Sequence, residues 1–239
     1  MKYKFVFADI NENRNIYAVA PNGDMFFYRD LFQNGQPKWA YDGVGQKIGH
    51  RWGLYRNVFS GTNGVIYAIA YSGEMYYYRD LDCNGTAFWE NNGNGMRIHA
   101  DRFNFRYEVS GGFGVYFKID DTGNLIYNNI RSSTYNLKIG KEWGQYPKVF
   151  SSGNGNLYAV TDNGDLLVST IVVHDQSRTF RWDVEGEKIG HGWGEYVHIF
   201  SGYGGYIYGI TIDGDLYLYR RNQYGPNWYG PGIKIGHGW

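Results

Sequence analysis

Three copies of one short motif combine residue types that suit the binding of a neutral polar ligand. The motif reads KIGHRW at residues 47–52 and KIGHGW at residues 188–193 and 234–239. Its glycines let the backbone approach a ligand, its histidine can donate or accept a hydrogen bond, and its tryptophan offers an apolar face. A neutral sugar presents the complementary surface, an apolar C–H face and a rim of hydroxyl groups. The motif therefore indicates noncovalent sugar binding.

The motif is one of three markers of a fivefold repeat. Its copies begin at Lys47, Arg97, Lys138, Lys188 and Lys234, at intervals of 50, 41, 50 and 46 residues. An alternating apolar run followed by a Gly-centred turn recurs in phase with it. The turns are at residues 22–24 (NGD), 72–74 (SGE), 122–124 (TGN), 163–165 (NGD) and 213–215 (DGD). Intervals of this length are typical of propeller blades.

The second repeat predicts four antiparallel strands, at residues 55–59, 65–70, 74–79 and 96–98. One such sheet cannot bury both its faces, so five of them are expected to pack radially. We therefore predict an all-β fold, a five-bladed β-propeller with four antiparallel strands per blade, and a single domain over residues 1–239. An open solenoid is the alternative, but it would need atypical capping repeats at both ends. In a closed ring Trp239 should lie beside Met1.

Composition narrows the classes of partner. The 23 basic and 23 acidic residues cancel, so neither nucleic acid nor an anionic membrane is an expected partner. The first fifteen residues are charged and contain no long apolar run, which predicts neither a signal peptide nor a membrane anchor. A secreted or cell-surface location would require this chain to be a mature form. Cys83 is the single cysteine, so no internal disulfide is expected, and a monomer is the default expectation.

The repeat resembles the tachylectin-2 family of five-bladed propeller lectins. A tryptophan, a [KR]-[IV]-G-x-x-W end, an F-x-F-like strand and a G-x-[IL]-Y-A-[VI] strand carry the resemblance, most clearly around residues 39–52, 182–193 and 228–239. It covers essentially the whole chain. It implies binding of glycans with N-acetylated hexosamines, N-acetylglucosamine or N-acetylgalactosamine, in shallow pockets between blades, with no enzymatic activity and no cofactor. Several weak sites on one molecule would make it avid toward a sugar-coated surface.

Two sets of tryptophans, with the motif glycines and histidines, are the candidate sugar contacts. The histidines have two open roles, ligand binding or a turn or capping role. The tryptophan that ends each motif has two open roles, a wedge that packs blade on blade or a platform for the ligand. The tryptophan before each motif precedes a variable loop, which favours partial exposure and ligand contact. The candidates are Trp39, Gly49, His50, Trp52, Trp89, Trp182, Gly190, His191, Trp193, Trp228, Gly236, His237 and Trp239.

The middle repeats depart from the pattern. Arg102 takes the tryptophan position in the second copy of the motif, and Lys141 and Glu142 replace His-Gly in the third. The third repeat has also lost about nine residues and a tryptophan. Sites built from residues 97–103 or 127–143 are therefore expected to be altered or silent, which leaves two to four working sites.

Other functions fit less well. A propeller scaffold that binds a protein through irregular loops, such as residues 171–181, is the runner-up; it would have one asymmetric patch rather than several equivalent sites. The acidic turns lack the spacing of a calcium loop, and the histidines are spread over the blades, so no metal site is expected. Glycoside hydrolysis is a distant third, because no unique acidic insertion breaks the repeat.

Overall fold

The chain folds into five four-stranded antiparallel sheets, arranged as the blades of a propeller. The computed structural model describes residues 2–100, 105–222 and 227–239. Each blade uses four consecutive strands, which lie side by side in the order in which they occur in the chain. The predicted five-bladed β-propeller with four antiparallel strands per blade is confirmed.

The strands, numbered along the chain, fall into five blades. Blade 1 contains β1 Phe5–Ala8, β2 Asn15–Val19, β3 Met25–Arg29 and β4 Gln46–Gly49. Blade 2 contains β5 Tyr55–Thr62, β6 Val65–Ala70, β7 Glu74–Arg79 and β8 Met96–Ala100. Blade 3 contains β9 Phe105–Gly112, β10 Val115–Asp120, β11 Leu125–Asn129 and β12 Thr134–Gly140. Blade 4 contains β13 Lys148–Gly153, β14 Asn156–Val160, β15 Leu166–His174 and β16 Thr179–Gly190. Blade 5 contains β17 Tyr196–Ser201, β18 Tyr206–Thr211, β19 Leu216–Arg220 and β20 Ile233–Gly236.

Helical structure in the described ranges is limited to short 3₁₀ turns. Three of them begin at a motif tryptophan and connect one blade to the next. The turns are Ala40–Gly43, Trp52–Leu54, Glu90–Gly93, Trp143–Gln145, Trp193–Glu195 and Tyr203–Gly205.

The first strand of every blade lies at the propeller axis. Strands β1, β5, β9, β13 and β17 contact one another in a ring that includes the pair β1 and β17. Together they line a central channel with a volume of about 380 Å³. The ring thus closes by the packing of blade 5 on blade 1, while β1 pairs with β2 of its own sheet.

The two ends of the chain meet at this closure. The rings of Tyr3 and Trp239 lie 5.8 Å apart between centroids. The indole Nε1 of Trp39 donates a hydrogen bond of 2.7 Å to the carbonyl oxygen of Ile235. Met1, which we expected beside Trp239, lies outside the described residues.

The predicted Gly-centred turns hold the motif tryptophans in place. Gly23 has a φ of 86°, in the left-handed region that glycine adopts without steric clash. Its carbonyl oxygen accepts a 2.9 Å hydrogen bond from the backbone N–H of Trp52. The same bond joins Trp143 to Gly123, Trp193 to Gly164 and Trp239 to Gly214. The turn and the motif, which recur together in the sequence, are therefore one structural unit.

Apolar side chains fill the contacts between blades, which we call joints and number by the two blades that meet. At joint 1/2, Phe7 and Tyr17 of blade 1 pack against Val58, Ile66 and Ala68 of blade 2. Clusters of the same kind lie at joints 3/4, 4/5 and 5/1. Burial of these aromatic and aliphatic groups is the main force that holds the blades together.

One prediction about blade 4 is wrong. Residues 171–181, which we expected to form an irregular loop, extend the hairpin of β15 and β16 beyond the rest of the sheet. The cross-strand pairs Ile171 with Trp182 and Val173 with Phe180 continue the ladder. The reason is that Ile171, Val172 and Val173 are β-branched and favour extended backbone.

Two kinds of feature are absent from the described ranges. They contain no helix with the length and apolar character that crossing a membrane requires. They also contain no cluster of three or more histidine, cysteine, aspartate or glutamate side chains arranged to hold a metal ion.

Candidate functional site

Each tryptophan that ends a motif packs against the earlier tryptophan of the next blade. At four joints the structure thus pairs one tryptophan that ends a motif with one tryptophan that precedes a motif. The centroid distances are 5.6 Å for Trp52 and Trp89, 6.1 Å for Trp143 and Trp182, 5.7 Å for Trp193 and Trp228, and 5.6 Å for Trp239 and Trp39. We call each of these a Trp pair.

The two members of a Trp pair differ in exposure at joints 1/2, 3/4 and 4/5. Trp52, Trp143 and Trp193 are buried, and Trp239 is partly buried. All four partners from the following blade are partly exposed. The buried ring anchors two blades, whereas the partly exposed ring is available to a ligand.

Hydrogen bonds fix three of the four partly exposed rings across the joints. The indole Nε1 of Trp89 donates a 2.6 Å bond to the carbonyl oxygen of Ile48, the isoleucine of the preceding motif. Trp228 makes the equivalent 2.6 Å bond to Ile189. A ring held by its edge in this way keeps its face fixed in orientation, so little entropy is lost when a ligand packs on that face.

The motif glycines make room for the buried ring. A Cβ atom on Gly49 would lie 2.6 Å from Nε1 of Trp52, and one on Gly190 or Gly236 would lie 2.7 Å from the equivalent atom of Trp193 or Trp239. Real Cβ atoms do not approach other atoms so closely. The structure thus places these candidate residues behind the tryptophan, where they support the Trp pair.

Two tyrosines complete the aromatic wall at three joints. At joint 1/2 the hydroxyl groups of Tyr55 and Tyr78 hydrogen-bond to each other, next to Trp52. The corresponding pairs are Tyr3 with Tyr28 and Tyr196 with Tyr219. Burial raises the pKa of Tyr78, so its hydroxyl keeps its proton at neutral pH.

These tyrosines were missed by sequence reasoning, although they leave a signal. Each pair combines the residue three positions after the motif tryptophan with a residue of the blade's third strand. That second residue comes three positions after Met25, Met75 or Leu216. That second position reads Tyr in MFFYR, MYYYR and LYLYR, and Ser169 in blade 4. The phase of the aromatics within the repeat would have identified them.

The joint 1/2 site is an open cleft with a volume of about 470 Å³. Its floor is aromatic and its rim is polar. The lining residues are Ile48, Gly49, His50, Arg51, Trp52, Leu54, Tyr55, Tyr78, Ala87, Trp89, Asn92, Gly93 and Asn94. Its dimensions and mixed lining suit a monosaccharide.

A left-handed turn forms one side of this cleft. Asn91, Asn92 and Gly93 have φ values of 51°, 53° and 76°. Tyr41 and Asp42 of blade 1, at the corresponding positions, have φ values of 54° and 51°. Because left-handed backbone is unfavourable for residues other than glycine, such strain concentrates at binding sites. The turn carries amide or carboxylate side chains to the rim of the cleft.

The three motif histidines are exposed at the opposite side. His50 lines the joint 1/2 cleft, and His191 lies at the equivalent position of joint 4/5. His237 Nδ1 lies 2.6 Å from a carboxylate oxygen of Asp215. That carboxylate also accepts a 2.7 Å bond from Lys234, and these two bonds hold the pKa of Asp215 below its usual value.

Joint 3/4 retains part of the arrangement. Its Trp pair is present and nearly parallel, with 15° between the ring planes. Ser169 replaces the second tyrosine, and its hydroxyl oxygen accepts a hydrogen bond from the backbone N–H of Gly186. Lys141 and Glu142 stand where the regular motif has His-Gly. The aromatic wall is therefore smaller here than at the three regular joints.

Joint 2/3 has no Trp pair. Residues 126–137 form a short hairpin that contains no tryptophan. Phe105 and Asn128 take the positions of the two tyrosines. Arg102 and Phe103, on which an altered site was predicted, lie outside the described residues.

Comparison with known proteins gives a family for the chain. No curated protein matches. Among solved structures, Prp20p from Saccharomyces cerevisiae, studied for its binding to Gsp1p and histones, is 13% identical with a TM-score of 0.41, and the match covers 88% of this chain and 56% of that chain. YCF48 bound to D1 peptide is 12% identical with a TM-score of 0.43, and the match covers 95% of this chain and 67% of that chain.

A third solved structure is similar to this chain at the same level. Yeast RCC1 (Prp20) bound to Kap60 is 12% identical with a TM-score of 0.45, and the match covers 88% of this chain and 55% of that one. The chain thus spans little more than half the length of both Prp20 structures. A family model described as Tachylectin matches residues 1–136 and again residues 131–239. Because these two matches together span the full sequence, the chain belongs to the Tachylectin family.

Proposed function

We propose that the protein is a multivalent lectin that binds N-acetylated hexosamines at its blade joints. The observation that carries the proposal is the Trp pair, which recurs at four joints. At joints 1/2, 3/4 and 4/5 one ring is buried and the other partly exposed, and at joint 5/1 both rings are partly exposed. The family to which the chain belongs supports a carbohydrate ligand.

The joint 1/2 cleft combines an aromatic surface with polar groups, both of which a neutral sugar can contact. The C–H face of a pyranose can pack on the exposed face of Trp89, and Asn92, Asn94 and His50 on the rim can exchange hydrogen bonds with its hydroxyl groups. An N-acetyl group adds a methyl group and an amide. The methyl group suits the apolar side of the cleft at Ala87, and the amide suits its asparagines.

Three joints have the full set of two tryptophans and two tyrosines, and joint 3/4 has a reduced set. Each site is shallow and should bind one sugar weakly. Sites distributed around one rigid ring would nevertheless act together on a surface that displays many copies of the sugar. We therefore propose three equivalent sites and a fourth that is weaker.

Isothermal titration with N-acetylglucosamine, N-acetylgalactosamine and glucose tests this proposal. The N-acetylated sugars should bind with a stoichiometry above one, and glucose more weakly. Trp89→Ala should remove one site, whereas Phe88→Ala should remove none, because Phe88 is 54% exposed and does not line the cleft. Absence of heat from all three sugars would overturn the proposal.

A second candidate is a protein-binding scaffold, which the blade 4 hairpin favours. Phe180 near its tip is 39% exposed, and most of its neighbours along β16 are exposed as well. No equivalent projection occurs on the other blades in the described ranges. A scaffold would bind one partner at this single surface, with a loss of binding in Phe180→Ala and none in Trp89→Ala.

A further inference from the structure

We propose that the joint 1/2 site prefers an acidic sugar, such as a sulfated N-acetylhexosamine, through Arg51. This inference rests on the proposed lectin function and assigns a different specificity to one of its sites. Arg51 lines the cleft directly beside Trp52. At joints 4/5 and 5/1 the same position of the motif is Gly192 and Gly238.

The backbone at this position suits glycine better than arginine. Arg51 has a φ of 68°, close to the 80° of Gly192 and the 79° of Gly238. Residues with a Cβ atom rarely adopt this conformation, and they persist in it mainly at functional sites. Glu142 of the third copy shares the conformation, with a φ of 64°, so the backbone alone does not single out Arg51. Among the five copies, however, only Arg51 places a cation at this position.

The guanidinium group is available to a ligand. Within residues 2–100, 105–222 and 227–239, Arg51 forms no side-chain hydrogen bond or ion pair. The nearby carboxylate of Asp24 pairs instead with Lys47, at 2.8 Å. An unpaired guanidinium can bind a sulfate or carboxylate group through two parallel hydrogen bonds.

Other substitutions shift the charge of the cleft in the same direction. No carboxylate lines the joint 1/2 cleft. Leu54 occupies the position that Glu195 occupies at joint 4/5. Asn92 occupies the position that Asp42 of blade 1 occupies at joint 5/1. At joint 5/1 the position of Leu54 is taken by Lys2, whose positive charge offsets the negative charge of Asp42. Of these three sites, the one at joint 1/2 is the most positive.

The acidic residue next to Trp89 makes its hydrogen bond away from the cleft. Glu90 follows Trp89 directly, but its carboxylate accepts a 3.0 Å hydrogen bond from the hydroxyl of Tyr77. Tyr77 packs in the cluster at joint 2/3. Glu90 therefore does not neutralise Arg51.

Titration with N-acetylglucosamine 6-sulfate and with N-acetylglucosamine tests the inference. The wild-type protein should bind the sulfated sugar at one site about tenfold more tightly than the neutral sugar. This difference should shrink at high salt, because the attraction is electrostatic. Arg51→Gly should abolish the difference, and its thermal stability should equal or exceed that of the wild type.

Transfer of the residues to another joint provides the matched control. A Cβ atom on Gly192 would have no neighbour within 4 Å, so an arginine fits there. The variant Gly192→Arg, Glu195→Leu should gain a second tight site for the sulfated sugar. Titration with inorganic sulfate measures the contribution of the anion alone.

The outcomes separate this inference from the proposed function. Equal affinity for both sugars in the wild type, or a preference that survives in Arg51→Gly, would overturn the inference and leave the lectin proposal intact. Absence of binding of either sugar would overturn both. Tight binding of inorganic sulfate without any binding of sugar would reduce the site to an anion site.

Discussion

Joints 1/2 and 2/3 lie on either side of the same blade, and they differ in almost every feature of the repeat. Joint 1/2 contains a Trp pair, a tyrosine pair and an aliphatic core. Joint 2/3 lacks a Trp pair and has a smaller cluster, formed around Phe59, Tyr67 and Tyr116. Blade 3 nevertheless packs against blade 2, with contacts between β5 and β9.

The comparison shows that a joint can close without a Trp pair. Joint 2/3 packs through the cluster around Phe59, Tyr67 and Tyr116, and the residues at its motif-tryptophan position lie outside the described ranges. The inner clusters supply the packing that holds the ring. That the exposed ring of each Trp pair serves a ligand stays a proposal.

The same comparison reveals a buried polar pair in blade 3. Val58 and Ala68 are cross-strand partners in blade 2, and Glu108 and Lys118 are the corresponding partners in blade 3. Glu108 is 5% exposed and Lys118 is 2% exposed. Arg56 of blade 2 forms an ion pair with Glu108 across the joint. Blade 3 thus places charged groups where the other blades place aliphatic ones.

Removal of the buried tryptophan of joint 1/2 should have the largest effect. Trp52→Ala should lower the free energy of unfolding by about 3 to 5 kcal/mol, because it leaves a cavity in an aromatic cluster. Trp89→Ala removes a partly exposed ring and should lower it by about 1 to 2 kcal/mol. Urea denaturation followed by fluorescence measures both. Equal losses of unfolding free energy in the two variants would show that both rings contribute equally to packing.

Replacement of the polar pair should have a smaller effect of opposite sign. Glu108→Leu combined with Lys118→Met and Arg56→Met puts apolar groups at joint 2/3 and leaves no partner of the ion pair behind. Such replacements are often neutral or stabilise a protein by about 1 to 4 kcal/mol, because charged groups no longer have to be desolvated. Urea denaturation at pH 7 should show this gain. A loss of several kcal/mol would mean that the ion pair with Arg56 is essential to the joint.

The pH dependence of stability should contain a contribution from Lys118. Burial lowers the pKa of Lys118 from 10.5 to about 7. Between these values the unfolded chain holds a proton on this side chain that the folded chain does not, so stability rises as pH increases from 7. The slope is at most about 1.4 kcal/mol per pH unit.

Comparison of the wild type with Lys118→Met between pH 7 and pH 9.5 isolates this effect. The difference in the free energy of unfolding should change steadily over that whole range, because the unfolded side chain keeps its proton up to about pH 10.5. The upper limit avoids the tyrosines, whose unfolded forms begin to ionise near pH 10. A difference that is constant with pH would contradict the shifted pKa.

Sequence reasoning predicted the blades well because each marker of the repeat reports one local structure. The turn glycines require left-handed backbone, and the alternating runs form the strands. It could not predict where Gly49 lies, since the contact between this glycine and Trp52 depends on the 3₁₀ turn Trp52–Leu54.

The candidate site was predicted only in part, because it is built from two blades. Trp52 and Trp89 are 37 residues apart in the sequence, and only the packing of blade on blade makes them neighbours. The extended hairpin of blade 4 was missed because the run of β-branched residues from 171 to 173 has no counterpart in the other repeats. Whether the candidate residues contact sugar stays a prediction.

A crystal structure of the protein with N-acetylglucosamine tests the central claim most directly. The account predicts a sugar against the exposed ring of the Trp pair at joints 1/2, 4/5 and 5/1, a weaker one at joint 3/4, and none at joint 2/3. Sugar bound in the central channel or on the blade 4 hairpin, with the Trp pairs unoccupied, would contradict it.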